Sequence, residues 1–242
     1  MRQAALFASL LAAGCAMADG SDPEIVDARY ETPLDTYPHR IMGGIREQAV
    51  LVAVDGSGRD YRVDLRDTGS NVFEDIAPRV VDADGDGQRD VVVVETSMTE
   101  GAQLAVYGLR HGRLVKTAAT PHIGERFRWL APVAVADLDG NGITDIAYVD
   151  RPHLAKTLLV WSYAPGGLTR IASLGDVTNH RIGDEVIWGG LRDCGAGPEM
   201  VLADAAFSRV VLVRLTGDGL ERRDTGLPAT PQGFDRTLDC QD

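Results

Sequence analysis

Apolar residues along this chain fall in short, valine-rich runs, and no long stretch repeats them at helical spacing. Residues 91–94, 104–107, 158–163 and 210–215 are such runs. Their β-branched and aromatic side chains suit a pleated, extended backbone. Glycine-containing turns punctuate them: HGR at 111–113, PGG at 165–167 and GDG at 217–219 each lie between two runs and read as hairpin connections. The pattern predicts an all-β chain.

The runs recur in a fixed order. FEDIAPRVVDADGDGQRDVVVVE at 73–95 and FRWLAPVAVADLDGNGITDIAYVD at 127–150 align at a spacing of about 54 to 55 residues. Each has an aromatic, an Ala-Pro pair, an apolar run, an aspartate-glycine turn and a second apolar run. The second copy carries one extra residue between Ala-Pro and the turn. A degenerate third copy, VIWGGLRDCGAGPEMVLAD at 186–204, sets Asp193 under Asp139 and Glu199 under Asp145. A weaker fourth, HRIMGGIREQAVLVAVD at 39–55, precedes them, and its HRIMGG echoes the segment that begins at His180.

A unit of about four strands cannot bury both its faces alone, so neighbours must stack, and radial stacking of four-stranded blades gives a β-propeller. The expected architecture is a single domain over 19–242 of about four blades, with five as the alternative. Its units are roughly 32–72, 73–126, 127–180 and 181–238. A strand at 24–30 is expected to complete the last blade and close the ring, since open sheet edges invite aggregation.

The aspartate turns carry the clearest chemistry. Asp82-Ala83-Asp84-Gly85-Asp86-Gly87-Gln88-Arg89-Asp90 follows D-x-D-x-D-G-x-x-D, with side-chain oxygens at positions 1, 3, 5 and 9 and a backbone carbonyl at position 7. Asp137, Asp139, Asn141, the Ile143 carbonyl and Asp145 repeat the scheme. Ca²⁺ takes six to eight oxygen ligands, and a glycine at position 6 lets the chain turn sharply around the ion. An isolated Asp-Gly such as Asp55-Gly56 reads as an ordinary turn. Four converging carboxylates are different: each close pair repels by roughly 4 kcal/mol at an effective dielectric near 20, which a divalent cation relieves. Two structural Ca²⁺ sites are expected, the first tighter because of its extra carboxylate; the small octahedral shell of Mg²⁺ suits such loops less well. No helix is predicted before the loop, and Val93 stands where an EF-hand places its bidentate glutamate. The third copy offers Leu191, Asp193, Gly195 and Glu199, too few oxygens for a site.

These motifs resemble the FG-GAP and VCBS repeats, β-propeller repeats of integrin α-subunit heads and of many exported bacterial proteins. The resemblance implies structural Ca²⁺ on Asp82, Asp84, Asp86, Gln88 and Asp90, and on Asp137, Asp139, Asn141, Ile143 and Asp145. The outer two copies depart from the family pattern.

Composition adds the compartment. The first residues place Arg2 before an apolar run at 4–13, followed by Ala16-Met17-Ala18, an export signal with an A-x-A cleavage site after Ala18. The alternative processing is lipidation at Cys15, although Ala12 stands where a lipobox usually has leucine. Beyond the signal no apolar span is long enough to cross a bilayer. A net charge of −12 disfavours nucleic acid and anionic lipid as partners and favours cations. The two remaining cysteines, Cys194 and Cys240, make an even pair in an oxidising compartment. A bridge between them would pin the third loop.

Nothing points to catalysis. His39, His111, His122, His153 and His180 show no metal-ligand spacing and read as surface or turn residues. No G-x-S-x-G, phosphate-binding loop or dinucleotide fingerprint occurs. Trp129, Trp161 and Trp188 could stack on sugars but sit where inter-blade packing belongs. VDRPHLAKTLLVWSY, from Val149, gathers Arg151, His153 and Lys156 in an acidic chain, which makes it the best sequence candidate for a functional loop. The expected function is a periplasmic or secreted binding module whose partner is an envelope protein or a glycan. A carbohydrate-binding propeller is the alternative, and a Ca²⁺-dependent hydrolase or lyase a lesser one.

Overall fold

The computed structural model describes residues 22–67, 69, 71–164 and 167–242. The signal segment and Cys15 lie outside the described residues, as do Pro165 and Gly166 of the PGG turn.

The first unit contains β1 (Ile25–Pro33), β2 (Gln48–Asp55) and β3 (Asp60–Asp64), followed by a 3-10 turn (Leu65–Asp67) and β4 (Asn71–Phe73). Three antiparallel meanders follow. They are β5 (Arg79–Val81) through β6 (Asp90–Ser97) and β7 (Gly101–Arg110) to β8 (Arg113–Ala119); β9 (Leu130–Ala136) through β10 (Asp145–Asp150) and β11 (Thr157–Ala164) to β12 (Gly167–Leu174); and, after a short β13 (Val177–Thr178), β14 (Gly190–Asp193) through β15 (Pro198–Asp204) and β16 (Arg209–Thr216) to β17 (Gly219–Pro228). A helix, α1 (Pro231–Leu238), ends the chain. β4 pairs with both β2 and β6 and so merges the first two units into one eight-stranded sheet.

Strand period decides the packing. Successive side chains point to opposite faces, so on β6 Val91 and Val93 pack with Leu51, Ala53 and Tyr61 of the first unit. Val92 and Val94 pack with Trp129, Ile146 and Tyr148 of the third. On β10 the alternation repeats: Ala147 and Val149 turn to Met200, Leu202, Val211 and Val213 of the fourth unit. Every residue of β6 and β10 is buried, as expected of strands covered on both faces.

The single-residue insertion in the second aspartate repeat has a structural counterpart. The β9–β10 register shifts between Ala147 and Tyr148, with Ala147 opposite Ala134 and Tyr148 opposite Pro132. Val133 is the extra residue, a β-bulge. β9 is an edge strand, where a proline without an N–H is tolerated.

Two expectations are corrected. β1 does not join the last unit: it pairs antiparallel with β2 from Ile25 opposite Asp55 to Pro33 opposite Gln48. Pairing with the next strand in sequence closes a short loop, which costs less chain entropy than reaching the far end of the protein. The fourth unit also stops short of residue 238, because 231–238 is helical. Thr230 is its N-cap, accepting from the Gly233 N–H, and Pro231 occupies the first turn, where its missing N–H costs nothing. α1 lays Phe234 against Val201, Ala203, Val210 and Leu212, the face of the fourth unit turned away from the third.

Candidate functional site

The two aspartate loops connect β5 to β6 and β9 to β10 and share a set of five kinds of internal hydrogen bond, to which the second adds Asn141 N–H to Asp137 and Asn141 Nδ2–H to Asp139. Asp82 accepts from the N–H groups of Gly85 and Gly87 at 2.8 and 3.0 Å, and Asp137 from those of Gly140 and Gly142 at 2.8 Å each. Asp84 accepts from Asp86 N–H and Asp139 from Asn141 N–H, both at 3.1 Å. Asp86 and Asn141 each accept at 2.7 Å, from the N–H of Gln88 and Ile143. Asp90 and Asp145 reach back to the N–H of Ala83 and Leu138 at 3.3 and 3.2 Å. The turn glycines adopt φ of 75°, 85°, 81° and 83° at Gly85, Gly87, Gly140 and Gly142, a region that L-residues rarely enter.

Carboxylate oxygens of Asp82, Asp84 and Asp86 lie within 4.8 Å of one another, as do those of Asp137, Asp139 and Asp145. Asp90 and Asp145 open the central strands and are 1% and 0% exposed. Burial, reinforced by Asp84, pushes the Asp90 carboxyl up to about 7. Burial likewise pushes Asp145 up to about 6, against the Leu138 N–H and with Asp139 adding to the rise. Asp137 moves the other way, because the Gly142 N–H and its neighbours favour the charged form. Oδ1 of Asp145 is buried without a hydrogen-bond partner, a defect that native interiors seldom tolerate. These donors, all hard oxygens, fit a Ca²⁺ ion better than a soft metal.

The loops also differ in their nearest cation. Arg110, at the end of β7, places Nη2 3.0 Å from Asp84 Oδ2 and 3.7 Å from Asp86 Oδ2. By strand register the second loop has Ala164 at that place. The extra carboxylate of the first loop is therefore offset by a fixed guanidinium.

The third loop is held by other means. Asp193 caps the N–H groups of Gly195 and Gly197, and Glu199 pairs with Arg192 and Arg214 at 2.8 and 3.1 Å. Cys194 is disulfide-bonded to Cys240, with Cα atoms 5.8 Å apart, so the bridge fastens this loop to the chain two residues past α1. Of the tryptophans, Trp129 is 2% exposed and donates Nε1–H to the Glu74 carbonyl. Trp161 packs against the core that joins the second and third units, and Trp188 stacks on Phe234.

Three of the five histidines, His39, His153 and His180, come together. At the end of β10 opposite the aspartate loop, a cavity of about 220 Å³ is lined by His39, Ile41, Phe127, Arg128, Trp129, Arg151, His153, Leu154 and Ile182. His39 Nδ1 meets Glu74 Oε1 at 2.5 Å, and the Glu74 side chain is fully buried. His153 Nε2 meets His180 Nδ1 at 3.0 Å, and His180 Nε2 meets the Asp184 carbonyl at 2.9 Å. A carbonyl can only accept, so neutral His180 donates from Nε2 and accepts at Nδ1, and His153 donates from Nε2. Burial brings the His153 pKa down to about 4. The echoing HRI segments meet here: Gly183 N–H donates to the Ile41 carbonyl, and Gly44 N–H to Glu185. That echo was the sequence signal for this convergence; spacing alone gave none.

Stacked antiparallel meanders with aspartate loops between their outer and central strands define an all-β repeat architecture. Residues 82–148 match the family model of the FG-GAP-like repeat, so this segment, from the first loop through the second and into β10, is an FG-GAP-like repeat region. No curated protein matches the chain.

Proposed function

We propose that the chain is an exported, non-enzymatic binding module of the bacterial cell envelope, propeller-like in its stacking, with two structural Ca²⁺ ions. Asp82, Asp84, Asp86, Asp90 and the Gln88 carbonyl would hold one ion. Asp137, Asp139, Asn141, Asp145 and the Ile143 carbonyl would hold the other. A bound cation supplies charge neutralisation and fixes the turn between an outer and a central strand.

The observation that carries this reading is the unpartnered, buried Oδ1 of Asp145, on a carboxylate that brings an oxygen within 4.8 Å of those of Asp137 and Asp139, inside a segment matching the FG-GAP-like repeat. Export is supported by the A-x-A segment before Asp19 and by the disulfide, a bond that persists in oxidising compartments. Among the described residues no helix is long and apolar enough to cross a membrane. The rigid stack suits recognition of an envelope protein or glycan.

Calorimetric titration of CaCl₂ into chelator-stripped protein tests the proposal. Saturable heat with about two ions per chain, and a melting temperature raised by Ca²⁺, are expected, because a ligand that binds only the folded state stabilises it. No heat, together with a melting temperature indifferent to EDTA, overturns it.

A further inference from the structure

We propose that the cavity between His39, Trp129, Arg151 and His153 is a binding site for a small organic carboxylate with an apolar body. It lies at the opposite end of β10 from the aspartate loop, and four independent observations converge on it.

The first is charge. The chain carries 36 acidic and 24 basic residues, yet the residues lining this cavity include two arginines, two histidines and no carboxylate. Arg151 gives Nε and Nη2 to Asp150, which leaves Nη1 without a partner among the described residues. Arg126 stacks over the Phe127 ring at 4.3 Å and makes no ion pair among the described residues. Arg128 and Arg151 are each paired with a carboxylate just outside the lining, Glu125 at 2.6 Å and Asp150 at 2.8 Å, so an anion would be held by the guanidinium N–H groups these pairs leave free, in a hollow whose lining offers no carboxylate.

The second is the shape of the polar contacts. His39 Nδ1 is engaged by Glu74 Oε1, so Nε2 is the ring nitrogen left for a ligand. Guanidinium N–H groups directed at a carboxylate are charge-assisted donors, roughly twice as strong as neutral ones. Third, the remaining surface is apolar. Leu154 and Ile182 are 65% and 70% exposed, the two most exposed large hydrophobic side chains among the described residues, and both line this cavity. Its volume of about 220 Å³ exceeds the roughly 150 Å³ that accommodates benzene, enough for a ring or branched chain plus a carboxylate.

Fourth, the backbone around it is strained. Arg40, Phe127 and Arg151 have φ of 51°, 57° and 43°, and a bulky residue at positive φ is an outlier that tends to mark functional sites. Phe127 is held there by its N–H donating to Tyr37 Oη at 2.8 Å, with the Tyr37 ring 4.9 Å from its own.

The test uses the full mature chain and three probes, benzoate, phenylacetate and isovalerate, against their neutral amides, by calorimetry and by ligand-observed NMR. At least one carboxylate is expected to saturate, with its amide at least tenfold weaker. Arg151→Gln and His39→Gln are each expected to weaken that probe at least fivefold, while Arg222→Gln, on the last strand, leaves it unchanged. Melting curves and far-UV circular dichroism confirm that each variant is folded; should His39→Gln fail to fold, Arg151→Gln and the amide comparison decide. Amides binding as tightly as acids, no probe saturating, or equal affinity in the folded Arg151 variant overturns the proposal.

Discussion

Asp145→Asn should change the sign of its effect on stability with calcium. In chelator the Asp145 carboxylate is buried, its Oδ1 has no donor, and its pKa rises from 3.8 to about 6. A raised carboxylate pKa means that the folded state resists ionisation, so the penalty is absent below about pH 4, grows as pH rises, and is complete above about 6. Two pKa units correspond to about 3 kcal/mol. The loop lies close to solvent, and screening reduces this to about 1–2 kcal/mol. Asparagine keeps the shape and the Leu138 contact but drops the charge. In EDTA at pH 7 the variant is therefore expected to be more stable than the parent by about 1–2 kcal/mol, a rise of about 2–8 °C in melting temperature for a chain of this size. In saturating Ca²⁺ the order reverses, because a ligand is lost and each tenfold fall in affinity removes about 1.4 kcal/mol of ion-derived stability. Urea unfolding at pH 7 with and without Ca²⁺ measures both arms. A variant less stable than the parent in EDTA would refute the electrostatic reasoning, and one indifferent to Ca²⁺ would remove Asp145 from the ion site.

Three further perturbations address other parts of the molecule. Arg110→Ala, which removes the guanidinium beside Asp84 and Asp86, should strengthen the first calcium site several-fold in calorimetry and leave the second alone; unchanged affinity at both sites would mean that the arginine swings away when the ion enters. Replacing Cys194 and Cys240 together by serine opens a bridge spanning 46 residues and should cost up to about 4 kcal/mol by the chain-entropy estimate, seen as an earlier urea midpoint. Phe234→Ala empties a 2% exposed position between α1 and β15–β16; about 3–5 kcal/mol of destabilisation is expected, and a loss under 1 kcal/mol would show that the helix docks without it.

Much of the fold was legible in the residues themselves. Valine runs at 91–94 and 210–215 lie inside β6 and β16, and the turns at 111–113 and 217–219 join the strands that the pattern placed on either side. The extra residue before the second aspartate turn emerged as the bulge at Val133. Hydrogen bonding within the two loops follows their spacing so closely that Asn141 accepts from Ile143 as Asp86 accepts from Gln88, while its amide adds a bond to Asp139 that a carboxylate cannot make. What escaped had a physical reason. The helix at 231–238 is one short element announced only by Thr230-Pro231, and its burial depends on a sheet face made elsewhere in the chain. β1 chose β2 because proximity in sequence outweighed the symmetry of ring closure. Arg110 and the His39–His153 cavity arise from contacts between distant segments, which no local spacing encodes.

The amphipathic segment after β17 sets where the array ends. A meander of this kind presents two sticky faces, and anything able to reproduce the third unit's surface could dock on the last one, including another copy of the chain. With Phe234 seated and Cys240 tethered to the preceding loop, that face is taken before a neighbour can arrive. That outer sheet face is thereby closed to edge-on or face-on recruitment of a neighbour.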